Sequence, residues 1–505
     1  MVVPGSESAR RVEWRLFLTV WLVYSIFATT NVVRETYLAI SLAERYSVRV
    51  DPYRGLHPDL FEVPGRGWYI NSNPGTSIVG AVPYGLFVRP AIALAIRLWP
   101  GITAPKPPAT YEDPRPNRAR FMNAARARGL DIVLGLAAVG TAVTVMAPLG
   151  ALATLLVFMF LRERLGDPRR ALGLSLIFAF ATPTLFRAAF LNQNAIVAHL
   201  VLGAWILKVG MSPRPPAAEP GARTLALIGL LLGFAIVCDY SALPFALIFG
   251  LWILVDAWRR GGPGTAVREG AIYGAGALCS LCILFAYQGI AFGHPLWPAQ
   301  RYMPPTEYSE KGWLGFTPPA PELLWRNLFD LRYGLFAFCP LLLAALSAPW
   351  VRKSGGWMPS PDELLWIGLS FTGVLLFSSA NQFANLQWNT GVRYMVPAVP
   401  LLFLAAVPVL NALPRVARWT IVGMSFAISF AVSMTREDVP TALGFLASEG
   451  PTLPILLTLE RVASGYADLQ LPGASFWLAA GSVGLVLAVI WRPVWRTARR
   501  QPAQR

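Results

Sequence analysis

Glu35 follows Arg34 directly after a long apolar run, and a carboxylate held beside a guanidinium at such a boundary has the chemistry of a general base for an incoming hydroxyl. Tyr37, Leu38, Ser41 and Leu42 follow at spacings that share one face of a short helix. That pattern predicts an amphipathic helix lying on the membrane, with Glu35 in its first turn, where the helix dipole stabilises a negative charge. The same pair also reads as a helix-start charge and its ion-pair partner, and both readings stay open. Asp51, in Val50-Asp51-Pro52-Tyr53, and Asp59 add two carboxylates to the same stretch, each a functional acid or a turn residue. Asp239, in Cys238-Asp239-Tyr240-Ser241 at the end of another apolar run, is unusual because a carboxylate near lipid is expensive unless paired or wetted. It reads as a second acid in a cavity or as a helix-end residue.

Metal-ligating and nucleophilic types argue less. His57, His199 and His294 are far apart, and Cys238, Cys279, Cys282 and Cys339 sit within or beside apolar runs. The CxxC at Cys279 to Cys282 therefore reads as a surface facing lipid or a packed helix, and neither a zinc site nor a disulfide framework follows. No Gly-rich phosphate loop and no sizeable inner domain is visible, which argues against nucleotide-sugar or ATP use.

The elements that must position these residues follow from composition. Of 505 residues 55% are hydrophobic and only 14% charged, against roughly a quarter charged in a soluble domain. Apolar runs recur from Leu16 to near the end, which predicts an all-α polytopic membrane protein, one transmembrane domain over 1–505. Twelve spans are expected: 16–33, 131–160, 171–190, 195–209, 224–242, 243–258, 270–290, 335–350, 364–380, 395–412, 419–434 and 475–491. The further apolar stretch 76–99 is expected to be a juxtamembrane or re-entrant helix on the outer side. Arg10, Arg11 and Arg15 precede the first run without a convincing cleavage pattern, so that run is read as an uncleaved span. The segments this scheme puts inside carry 22 basic and 9 acidic residues, the remainder 21 and 18, and the asymmetry places both termini in the cytoplasm. The net charge of +16 is thus topological, and the scattered basic residues form no face for nucleic acid. Three long outer segments remain, 33–129, 287–334 and 435–474, and their Trp and Tyr residues predict an ordered outer surface.

At these residues the chain resembles the bacterial GT-C glycosyltransferase superfamily, which includes protein mannosyltransferases and the aminoarabinose transferases of lipid A. The resemblance rests on Glu35 after the first span, on Pro74-Gly75-Thr76 entering the next helix, where Thr76 is a candidate cap, and on Arg162, Arg164, Leu165 and Gly166 closing a span. Tyr287-Gln288-Gly289, Phe292-Gly293-His294-Pro295-Leu296, Arg332-Tyr333-Gly334-Leu335-Phe336 and Trp388-Asn389-Thr390-Gly391-Val392-Arg393-Tyr394-Met395-Val396-Pro397 are similar to segments of the group as well. The chain departs from many members in carrying Arg34-Glu35 where they carry an acidic pair.

The resemblance implies an enzyme at the outer face of a bacterial plasma (inner) membrane, moving a sugar from a polyprenyl-phosphate-linked donor to a lipid, glycan or protein acceptor. Such a reaction needs a base, Glu35 or Asp51, and cations for the leaving phosphate, Arg332 and Arg393, each beside a tyrosine. Arg34, Asp59, Asp239 and Tyr394 join them as substrate-binding candidates, while interfacial snorkelling is the competing reading of the two arginines. Asn192, Gln193 and Asn194 either bind sugar hydroxyls or terminate helices. No cofactor is assigned, and a divalent cation bridging Glu35, Asp51 and a phosphate is left open. Two other classes compete: a lipid or polysaccharide transporter or flippase, and an inactive GT-C-like lipid-binding relative. The long outer segments and the lack of paired charges inside spans weigh against the transporter.

Overall fold

The computed structural model describes residues 6–110, 118–211, 220–351, 357–389, 391–456, 458 and 475–500. Described residues are overwhelmingly helical, with one two-stranded antiparallel hairpin, so the all-α polytopic class holds. Five helices among them are long and apolar enough to cross a bilayer: Gly75–Leu98, Asp131–Leu165, Tyr240–Phe292, Pro361–Ala380 and Arg415–Thr435. Shorter apolar helices include Gln193–Val209, Ala222–Cys238 and Val396–Ala412. Much of the 435–474 segment lies outside the described residues.

The expected spans at 243–258 and 270–290 are the two helical arms of the stretch Leu243–Phe292, which folds back at Gly261 and Gly262. Gly262 has φ 71°, which only glycine adopts freely, and Pro263 starts the returning arm. The Tyr273 hydroxyl then donates to the Ala246 carbonyl at 2.6 Å, and Arg260 pairs with the buried Glu269 at 2.8 Å. The 171–190 run does not stay helical: the Pro168–Phe180 helix stops before Pro183, and a single turn, Thr184–Arg187, follows. The 335–350 run becomes the short turn Leu335–Phe338 and an 11-residue 3-10 helix, Pro340–Trp350. A 3-10 helix rises about 2 Å per residue, so this element covers roughly 22 Å with few residues.

The stretch expected as a juxtamembrane or re-entrant helix is a continuous rod, Gly75–Leu98, and its 24 residues are long enough to cross a bilayer. Pro83 lies inside it, followed directly by a π-helical turn, Tyr84–Val88, closed by the Arg89 N–H on the Tyr84 carbonyl. Thr76 is not a cap: Pro74 occupies that position and Thr76 is one residue inside the helix.

The core runs through the Val399–Ala412 helix, in which every residue from Val399 to Leu410 is buried, as expected of a helix apolar on all sides. The first helix, Ser6–Ile26, packs on Asp131–Leu165, where Gly150 admits the Tyr24 ring and the Tyr24 hydroxyl reaches the Ala179 carbonyl at 2.7 Å. Ala222–Cys238 packs even closer on the returning arm of the folded helix. A Cβ on Gly229 would lie 2.0 Å from the Tyr273 carbonyl oxygen, and one on Gly276 2.1 Å from that of Ala226. Small residues permit this backbone approach, the mode by which helices associate in lipid. Gly229→Val and Gly276→Val are each expected to destabilise the protein by about 1–3 kcal/mol through overpacking, read as a lower melting temperature of the detergent-purified chain. Gly274→Ala, which meets open space, is the control.

Candidate active site

Glu35 lies in the first turn of the Arg34–Arg45 helix, as expected, and that helix is enclosed by protein over most of its length. Its residues from Glu35 to Ser41 are all buried, packed against the start of the Gly75–Leu98 rod, and the Ser77 hydroxyl donates to the Glu35 carbonyl at 2.9 Å. Off the face that Tyr37, Leu38, Ser41 and Leu42 share stand small residues, Thr36 and Ala39, which let protein enclose the other sides.

A hairpin, β1 (Leu60–Val63) and β2 (Gly67–Ile70), pairs Leu60 with Ile70. The next pair outward is Asp59 and Asn71, where Asn71 N–H donates to the Asp59 carbonyl at 3.1 Å and Asn71 Nδ2 to Asp59 Oδ1 at 2.9 Å. Arg34 joins the two elements: Nε donates to Glu35 Oε1 at 2.9 Å, and Nη1 to Asp59 Oδ2 at 2.9 Å and Asn71 Oδ1 at 2.8 Å. Burial pushes the Asp59 carboxyl up, but the guanidinium of Arg34, with His57 and Arg393 adding, brings it down to about 2. Burial acts against the Arg34 charge, yet Glu35 and Asp59 overcome it and hold the group more firmly protonated than a free arginine. His57, whose Nδ1 accepts the Asp59 N–H at 3.1 Å, is held by burial below its ordinary value and is neutral at pH 7.

These groups line one cavity of about 1980 Å³. Arg187, Arg393, Tyr394 and Arg436 line the same cavity. The guanidinium carbons of Arg187 and Arg436 lie 5.5 and 4.3 Å from the centroid of the same Phe190 ring, and that of Arg393 lies 5.2 Å from the Tyr394 ring. Arg187 is 1% exposed, a charge carried into the interior. Arg436 caps the Arg415–Thr435 helix in the left-handed region, φ 61°, a conformation that costs a non-glycine residue about 1 kcal/mol or more. Arg393 acts electrostatically on both Asp59 and Arg187, so the acidic and cationic groups share one field. Its backbone is fixed by buried Gln387, whose Oε1 accepts the N–H groups of Arg393 and Tyr394 at 3.1 and 2.9 Å.

Asp239 forms a third group in the cavity, its Oδ2 accepting from Gln193 Nε2 and its Oδ1 from the Ser241 N–H at 2.8 Å. Gly75 brings it close: a Cβ there would lie 2.7 Å from the backbone of Val237 and Cys238, and Asn73 Nδ2 donates to the Ile236 carbonyl at 2.8 Å.

Six expected site residues, Arg34, Glu35, Asp59, Asp239, Arg393 and Tyr394, thus line one cavity, and two do not. Asp51 is a turn residue: its Oδ1 accepts the Trp68 N–H at 3.0 Å and its Oδ2 the Arg49 Nε at 2.8 Å, which hold its carboxyl low against partial burial. Among the described residues no group of three or more His, Cys, Asp or Glu side chains is arranged to hold a metal ion. Arg332 is half-exposed and wraps onto Asp330, with Nε and Nη2 at 3.1 and 3.0 Å from its two oxygens, because a tight turn puts that carboxylate two residues away. Arg187, Arg436 and His57 were not foreseen as site residues. For Arg187 the signal was present, an arginine amid apolar residues of the 171–190 run.

No protein-family model matches this sequence, and no curated protein matches it. Among solved structures, the chain is similar to ArnT from Cupriavidus metallidurans, crystallised bound to undecaprenyl phosphate, with 15% identity, a TM-score of 0.47, and coverage of 98% of this chain and 79% of that one.

Asp59 carries a pH signature. Its carboxyl, at about 2 against about 3.9 when unfolded, contributes stability that is full above about pH 4 and lost as pH falls through about 2. Asp59→Asn is expected to lower the melting temperature at pH 7, and the gap to wild type should shrink as melts are repeated from about pH 4 toward about pH 2. A gap independent of pH would show that the Arg34–Asp59 ion pair is not its source.

Proposed function

We propose that this chain is an integral membrane glycosyltransferase that moves a sugar from a polyprenyl-phosphate-linked donor to a lipid, glycan or protein acceptor. We further propose that it acts at the outer face of a bacterial plasma membrane, with both termini cytoplasmic. One observation carries the reading: a single cavity is lined both by the carboxylates Glu35 and Asp59 and by the guanidinium groups of Arg187, Arg393 and Arg436. At about 1980 Å³ it exceeds the roughly 300–1,000 Å³ of an ordinary small-molecule site, which suits two substrates meeting. Its lining also includes Ile132, Leu136, Val139 and Leu243, an apolar wall suited to a prenyl chain.

Glu35 accepts the proton of the acceptor hydroxyl as that oxygen bonds to the anomeric carbon of the sugar. The bond from that carbon to the phosphate oxygen breaks, its electron pair goes to the phosphate, and the arginines hold the charge that develops there. One displacement inverts the anomeric centre. Asp59, with both oxygens engaged by Arg34 and Asn71, positions Arg34 and through it the Glu35 carboxylate.

The test is release of free polyprenyl phosphate from a panel of polyprenyl-phosphate sugars by purified protein. Glu35→Gln should lower kcat by about 10²–10⁴-fold while the lipid still binds. Arg393→Ala should weaken lipid binding, and Asp51→Asn should leave kcat unchanged. Tight lipid binding by wild type without release, unaltered by Glu35→Gln, would overturn the reading in favour of a transporter or an inactive relative.

A further inference from the structure

The Gln193–Val209 helix begins in the cavity wall with three amides in a row. Asn192 is spent on capping: its Oδ1 accepts the Ala195 N–H at 3.0 Å. Gln193 and Asn194 are 4% and 1% exposed, yet Gln193 Oε1 and Asn194 Oδ1 have no hydrogen-bond partner. The orientation of Gln193 follows from chemistry. A carboxylate can only accept, so Gln193 must turn its Nε2 toward Asp239, which leaves its oxygen as the orphan. Asn194 places its Nδ2 3.5 Å from the Ser241 hydroxyl, and its Oδ1 is left over. Beside them the Tyr240 hydroxyl accepts from Gln288 Nε2 at 2.7 Å and keeps its own proton to donate.

Buried acceptors without partners call for a ligand that brings donors. A phosphate brings none and would meet the Asp239 charge, and a prenyl chain brings none either. The orphan atoms are neutral amide oxygens, and the Asp239 carboxylate already takes hydrogen bonds on both its oxygens, so the ligand they fit is neutral and rich in hydroxyl groups. We propose that Gln193, Asn194, Asp239 and Tyr240 form the subsite that reads the hydroxyls of the sugar ring, apart from the arginines that hold the phosphate. This assignment rests on the transferase reading and deepens it, since it makes the sugar's hydroxyl pattern, and not its charge, the quantity selected.

The test uses the purified full chain and two probes of equal prenyl length, decaprenyl phosphate and whichever of a panel of decaprenyl-phosphoryl hexoses and pentoses binds best. Gln193→Leu and Asn194→Leu should each weaken the sugar-bearing lipid by tenfold or more and leave the bare lipid unchanged. Asn194→Asp, which keeps the acceptor oxygens, should retain the wild-type preference, and this separates loss of a contact from loss of fold. Equal weakening of both lipids by the leucine variants, loss of the preference in Asn194→Asp, or unchanged binding of the sugar-bearing lipid would each overturn the subsite. Wild type binding the bare lipid with no gain from any sugar would overturn it alone, whereas wild type binding neither probe would remove the transferase reading as well.

Discussion

The buried guanidinium of Arg34 is the constraint on which the rest of the site depends. Its side chain is 12% exposed, and a charge so far from water persists only when paired and hydrogen-bonded. It meets that condition by gathering Glu35 from its own helix and Asp59 and Asn71 from the two ends of the hairpin, so one cation joins two elements separated by a loop. Each partner is oriented in turn, and Glu35 faces the cavity because Arg34 fixes one of its oxygens. The ion pair matters here less as a source of stability than as a means of holding geometry, a role that buried pairs can fill where hydrophobic packing would be indifferent to direction.

Backbone contact extends that arrangement to the other wall. Gly75 lies against Val237 and Cys238 with no side chain between, so the helix that follows the hairpin and the strand-like turn at Asp239 move together. The glycine seam between Ala222–Cys238 and the returning arm of Leu243–Phe292 then ties Asp239 to the bundle. Polar groups are thus carried on tightly packed helices, while the cavity is bounded where helices end: Asn192 at one start, Asp239 and Arg436 at two ends, Arg187 in an isolated turn. A break in a helix frees backbone groups that need partners, and such breaks beside lipid are tolerated where they line a cavity.

The class of fold was legible because composition and apolar runs report the solvent directly. Glu35 and Arg34 were legible because they stand where an apolar run stops. Asp51 and Asp59 were not separable, since both are turn carboxylates of one loop; only the hairpin register, Leu60 opposite Ile70, decides which of them faces Asn71 and Arg34. Arg332 and Arg393 posed the same problem, two arginines each followed by tyrosine, and the difference is local: Asp330 captures one, whereas Gln387 fixes the backbone of the other and leaves its side chain in the cavity. Arg187 was hidden by the averaging that finds spans, which counts one charge among twenty apolar residues as noise, and Arg436 by a backbone conformation that sequence does not announce.

The two arginines near the Phe190 ring, with Arg393 close enough to act on Arg187 and Asp59, bear on the kinetics of the proposed reaction. A sugar-linked lipid phosphate is a diester with one negative charge. The phosphate left after transfer is a monoester, and with a second pKa near 6 it carries between about −1.5 and −2 at pH 7. In the proposed reaction the same guanidinium groups would therefore grip the spent carrier more tightly than the substrate. In that reaction the chemical step would be followed by a slower departure, and turnover would be set by the lipid's escape into the bilayer.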